Sequence, residues 1–100
     1  MNMQALMAQA QKMQRDITKK KEEIDNMEFD GNSELVDVKM SGRKEILSVK
    51  IKSNGTLDSD DVEALEDMIK IAVNDAIAKI DKETEKQLGS YNASGLGGLF

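Results

Sequence analysis

The sequence predicts an α+β domain in which two long helices flank a small antiparallel β-meander. Three observations predict it. The first 27 residues carry apolar side chains three and four apart, residues 35–52 alternate apolar with polar, and helical spacing returns from about residue 60. A chain of 100 residues is one domain in length.

Residues 2–27 read as one helix. Met3, Leu6, Ala10, Met13, Ile17, Lys20, Ile24 and Met27 form a heptad seam broken once, by Lys20. Good helix formers fill the other positions, and the absence of proline leaves nothing to interrupt the helix. Its length, roughly 40 Å at 1.5 Å per residue, exceeds what a domain of this size covers. Only 3% of residues are aromatic, so large core anchors are scarce and the seven Met and the aliphatics must do the packing. The seam therefore points to a second copy of the chain, with Met3, Leu6, Ala10, Met13 and Ile17 as the expected dimer contacts. Packing on the protomer's own sheet and second helix is the competing reading. Lys20 either sets register in a paired seam or extends its charge past the packed region.

Glu28–Asp30 opens a possible short strand, and Gly31-Asn32-Ser33 is a turn signal. From Leu35 to Ser41 the chain alternates, with Val36, Val38 and Met40 toward a core and Asp37, Lys39 and Ser41 toward water. Gly42-Arg43 makes a tight connection. Ile46–Lys52 then alternates again, with Leu47, Val49 and Ile51 expected on the core face. Two or three strands are too few to stand alone and need a helix or second sheet on their apolar face.

Ser53-Asn54-Gly55 is a turn signal, and Asp58-Ser59-Asp60-Asp61 supplies a helix cap and acids suited to the positive end of a helix. The second helix is expected from about Asp60 to Leu88, on the stripe Val62, Leu65, Ile69, Ala72 and Ala76 widened by Val73, Ile77 and Ile80. The charged stretch after Ile80 reads as solvated. Residues 1–88 form the expected domain, and residues 89–100, rich in Gly and Ser, read as a flexible tail.

Neither His nor Cys is present, which removes the commonest general base, the thiol nucleophile and the usual transition-metal ligands. Gly95, Gly97 and Gly98 lack the strand and helix that frame a phosphate loop, and Asp58, Asp60 and Asp61 lack calcium-loop spacing. No enzyme, cofactor, metal or small-molecule substrate is expected. The first twenty residues contain no apolar run of the kind that leads or spans a membrane, so the expected location is the cytoplasm.

The net charge of −5 argues by itself against nucleic acid, but the charge is divided along the chain. Lys12, Arg15, Lys19, Lys20 and Lys21 lie in the first helix, while the acids concentrate after Leu57. Lys12, Arg15 and Lys19 share one helical face at i, i+3 and i+7. That face suits a phosphate backbone; the plainer reading is a solvated face whose charges pair locally, as Asp16 with Lys20 at i, i+4. Lys39, Arg43, Lys44, Lys50 and Lys52 make a second basic region, either a further patch or a solubilising surface.

The elements run helix, short meander, helix and a Gly-rich tail ending in Phe100, and four stretches stand out in order along them: Met3-Gln4-Ala5-Leu6-Met7-Ala8-Gln9-Ala10-Gln11-Lys12-Met13-Gln14, Leu47-Ser48-Val49-Lys50-Ile51, Leu65-Glu66-Asp67-Met68-Ile69 and Val73-Asn74-Asp75-Ala76. In that order and spacing they resemble the YbaB/EbfC family of nucleoid-associated proteins over essentially the whole chain. The resemblance implies an α-β-β-β-α protomer, a tweezer-like homodimer with protruding helices, and binding of double-stranded DNA in the nucleoid. The tail lacks the prolines and lysine of some relatives, so no DNA contact is carried over to it. The expected contacts are to phosphates, with low sequence specificity, through Lys12, Arg15, Lys19, Lys20 and Lys21. The alternative is a coiled-coil-like adaptor whose Met-rich helix grips another protein.

Overall fold

A computed structural model of the chain describes residues 2–52 and 58–91. The order is α1 (Met3–Asp25), β1 (Glu28–Asn32), β2 (Val36–Ser41), β3 (Ile46–Ile51) and α2 (Ser59–Tyr91), with the strands in one antiparallel sheet of order β1-β2-β3. The α-β-β-β-α expectation is met. The turn expected at Ser53-Asn54-Gly55 lies outside the described residues, as does the tail beyond Tyr91.

Both helices begin on side-chain caps. The Asn2 carboxamide oxygen accepts from the Gln4 N–H at 2.9 Å. Asp58 accepts from the N–H groups of Asp60 and Asp61 at 2.9 and 3.3 Å, while Asp61 accepts from the Asp58 N–H at 3.0 Å. This reciprocal cap satisfies donors that the first turn leaves open, so the aspartates are engaged in starting α2. The α1 helix ends at Asp25, capped by Asn26, two residues short of the sequence reading.

The sheet departs from expectation at Gly31 and Asn32, which are strand and not turn. Gly31 lies against α2, where a Cβ would overlap the Ala72 carbonyl oxygen and sit 2.8 Å from the Ala76 Cβ. Here glycine serves close approach rather than reversal. The reversal falls one step later, where Ser33 N–H donates to the Val36 carbonyl at 2.9 Å and Val36 N–H to Ser33 Oγ at 3.2 Å. Between β2 and β3 the Lys44 N–H closes on the Ser41 carbonyl at 2.8 Å, and Lys44 adopts a left-handed φ of 65°. That is a type I turn followed by a left-handed residue.

Val36, Val38 and Met40 are buried as expected, beneath α2 with Phe29, Ala72, Ala76 and Ile80. Strand β3 is different. Val49 pairs with Val38 and Ile51 with Val36, so their side chains share the helix-covered side of the sheet. Nevertheless Leu47, Val49 and Ile51 remain 49%, 48% and 43% exposed, against the expectation that they fill the core. A helix about 10 Å across covers roughly two strands spaced about 4.8 Å apart. The α2 helix lies on β1 and β2, and the third strand is left open.

The α1 helix packs on the C-terminal half of α2, where Ile17, Ile24, Ile80 and Leu88 join the core. The charged stretch after Ile80, expected to be solvated, is exposed or half-buried and stays helical. Leu88 is fully buried and α2 continues through Gly89 and Ser90 to Tyr91, because every third or fourth residue of that charged stretch faces α1. Among the described residues, no helix is long and apolar enough to cross a membrane.

Candidate nucleic-acid interface

The cations divide into two populations. On and around the sheet most are neutralised within the protomer. Lys39 pairs with Glu28 (3.9 Å), Arg43 with Asp25 (3.9 Å), Lys44 with Asp81 (3.1 Å) and Lys52 with Asp37 (3.1 Å). Lys50 adds its positive charge near the Asp37 carboxylate, and Lys79 pairs with Asp75 at 3.3 Å. Exposed pairs like these add little stability, but they cancel the positive potential that a phosphate backbone requires.

On α1 the balance is reversed. Lys12, Arg15, Lys19 and Lys21 are exposed and have no hydrogen bond or ion pair among the described residues. At 100° per residue, the stripe Lys12–Arg15–Lys19 points roughly 160° away from the buried pair Ile17 and Ile24. It spans roughly 10 Å of helix axis, about three nucleotide rises along one DNA strand. Asp16 is the only acid between Met3 and Lys21. The first turn of α1 contains no acid, so its positive helix end is uncompensated, whereas Asp60 and Asp61 neutralise the same end of α2. Lys70, Lys82 and Lys86 of α2 are also unpaired among the described residues, but Glu66, Asp67, Glu83 and Glu85 stand beside them in sequence.

The structure separates the five cations that the sequence grouped. Lys12, Arg15 and Lys19 share the outward face. Lys21 turns toward α2, where it lines a cavity of about 250 Å³ with Lys44, Asp25 and Asp81. Lys20 is half-buried, with its ammonium 5.2 Å from the centre of the Tyr91 ring. It is therefore not paired with Asp16: the helix–helix contact offers the cation a π face instead. Nothing in the sequence signals a contact between residues so far apart in the chain.

The seam residues are divided as well. Ile17 is buried within its own protomer, whereas Met3, Leu6 and Ala10 are exposed and Met13 is half-buried. Two carboxylates fasten the sheet to its surroundings. Asp75 accepts from the Asn32 N–H at 2.9 Å and faces Lys79, whose ammonium donates to the Asp30 carbonyl at 2.6 Å. Asp37 accepts from Asn32 Nδ2 at 2.8 Å and faces Lys52. These donors hold both carboxyls below the ordinary value of 3.8, Asn32 foremost in each case.

A family model described as the YbaB/EbfC DNA-binding family matches residues 1–96. The chain is 45% identical over 93 residues to a nucleoid-associated protein of Lactococcus lactis subsp. lactis (strain IL1403), covering 91% of this chain and 93% of that one. It is 39% identical over 94 residues to a nucleoid-associated protein of Ligilactobacillus salivarius (strain UCC118), covering 92% and 89%. A nucleoid-associated protein of Enterococcus faecalis (strain ATCC 700802 / V583) is 41% identical over 92 residues, covering 90% and 88%.

Proposed function

The chain belongs to the YbaB/EbfC DNA-binding family, and from that premise we propose that it is a nucleoid-associated protein binding double-stranded DNA as a homodimer. The role is binding and not catalysis, and its place is the nucleoid within the cytoplasm. One observation carries the assignment of the surface: Lys12, Arg15 and Lys19 form an unpaired basic stripe opposite the buried side of α1. Lys20 and Lys21 lie off the stripe, Lys20 at the Tyr91 ring and Lys21 on the side toward α2. Contacts from the stripe go to phosphates, which position a protein on duplex DNA without reading its sequence. The acids of α2 repel DNA and confine it to the α1 side.

The homodimer reading draws on apolar surface that one protomer cannot cover. Met3, Leu6, Ala10 and Met13 leave an open seam on α1, and Leu47, Val49 and Ile51 leave an open strand beside α2. We assign the pairing of copies to these two surfaces, with Ile17 anchoring α1 from inside the protomer. A two-fold pair presents the basic stripe twice.

The experiment is a salt titration of binding to a random-sequence duplex. Six phosphate contacts per dimer predict a slope of log affinity against log salt of roughly −5, and on the order of a thousandfold weaker binding between about 50 and 200 mM salt. Replacing Arg15 and Lys19 by Gln keeps helix propensity nearly unchanged. The double variant should bind every duplex more weakly and give a shallower slope. If affinity and slope both stay unchanged in the folded variant, α1 is not the surface. If the wild type fails to bind even at low salt, the adaptor reading replaces this one.

A further inference from the structure

We infer that Tyr91 is a positioning residue for the DNA surface: through its contact with Lys20 it fixes the direction in which α1 presents Lys12, Arg15 and Lys19. The inference rests on the proposed phosphate-binding role of that stripe. It also removes Lys20 from the phosphate contacts and gives it a different task.

The geometry of the two helices points to this. They run antiparallel, since Ile24 lies with Ile80 and Asp81 around one cavity while Lys20 lies over Tyr91 further out. On α1 the buried residues are Ile17 and Ile24, and every residue from Asn2 to Lys12 is exposed. Tyr91 thus stands at the outer end of the described helix pair, packed against the core cluster. The Lys20 ammonium, 5.2 Å from the ring centre, is within cation–π range. Around the helix, Lys20 falls on the flank between the basic stripe and the buried side, so it holds one edge of α1 while Ile17 and Ile24 hold the buried side.

The arm beyond this brace is a lever. Lys12 lies roughly 12 Å along the axis from Lys20, so a tilt of about 10° at the brace moves it by roughly 2 Å. Phosphate contacts made by three side chains at once depend on their common orientation, and residues locked by packing supply it.

The test uses the full chain and four variants: Lys20→Met, Tyr91→Leu, Tyr91→Phe and, as a slope reference, Arg15→Gln. Each is titrated with salt against a random duplex. Lys20→Met and Tyr91→Leu should each weaken binding on the order of tenfold, from two exposed-type cation–π braces per dimer, with the salt slope unchanged. Tyr91→Phe keeps the π face and should bind as the wild type does. Arg15→Gln should make the slope shallower by about 2. A slope loss in Lys20→Met equal to that in Arg15→Gln makes Lys20 a phosphate contact and overturns the proposal. Wild-type affinity in Tyr91→Leu overturns it as well.

A readout without DNA keeps this separate from the function. The chain has one Tyr and no Trp, so tyrosine emission reports Tyr91 alone. Lys20→Met should change that emission. Lys20→Met and Tyr91→Leu should also speed amide exchange around residues 13–20 to the same degree, with no further gain in the double variant. If Arg15→Gln leaves the slope unchanged while these signals respond, the phosphate reading has failed and the brace stands as a structural contact. If the signals do not respond, the brace itself is wrong.

Discussion

Gly31 in β1 and Ala72 in α2 approach so closely that a single added methyl on Gly31 would overlap the Ala72 carbonyl oxygen. That contact sets the distance between the sheet and the helix covering it. Backbone, unlike the end of a long side chain, cannot step aside. The Asn32–Asp75–Lys79 cluster lies one residue further along the same strand, where the sheet amide donates to the helix carboxylate at 2.9 Å.

Gly31→Ala should therefore destabilise the protein by about 2 kcal/mol or more, within or above the usual range for overpacking. Gly89→Ala is the matched control. Its new Cβ would meet only the flexible carboxylate end of Glu85, 2.7 Å from Oε1, inside α2. Helix propensity then favours Ala by about 1 kcal/mol. Urea denaturation of both variants checks the pair, and equal effects from both would contradict the close-approach account.

Acid should loosen the junction between sheet and α2. Asp75 and Asp37 have folded values below the unfolded 3.8, because Asn32 and a lysine donate to each carboxylate. A depressed carboxyl stabilises the fold above its unfolded value, and that contribution is lost as pH falls through the folded value. The thermal midpoint should lose this stabilisation below about pH 3.8 and not above it. Asp75→Asn should lower the midpoint at neutral pH and flatten its fall in acid. An acid profile as steep as that of the wild type would remove Asp75 from the account.

Sedimentation equilibrium at micromolar concentration should report a dimer. Placing a charge on the open strand by Val49→Glu should shift the chain toward monomer, since burying an unpaired carboxylate costs several kcal/mol. Leu6→Glu tests the α1 seam in the same way. An intact dimer in Val49→Glu with dissociation in Leu6→Glu would return the whole contact to α1, and a folded wild-type monomer would end the homodimer reading.

Features under local chemical control are legible in the residues alone. Helix formers without proline made α1, alternation at Val36, Val38 and Met40 chose the buried side of β2, and Asp58 with Asp61 started α2. The basic stripe was legible too, because i, i+3 and i+7 spacing places Lys12, Arg15 and Lys19 on one helix face in any context. Tertiary structure decided the rest. Strand β3 alternates as β2 does, yet its apolar side is bare, because one helix is wide enough for two strands and no spacing rule says which two. Gly31 looked like a turn because glycine's freedom is visible in sequence, whereas the Ala72 carbonyl that requires it is not. Lys20 stood among its basic neighbours until α2 brought Tyr91 beneath it. Periodicity fixes which side of an element a residue occupies; only the packing of distant elements fixes what that side meets.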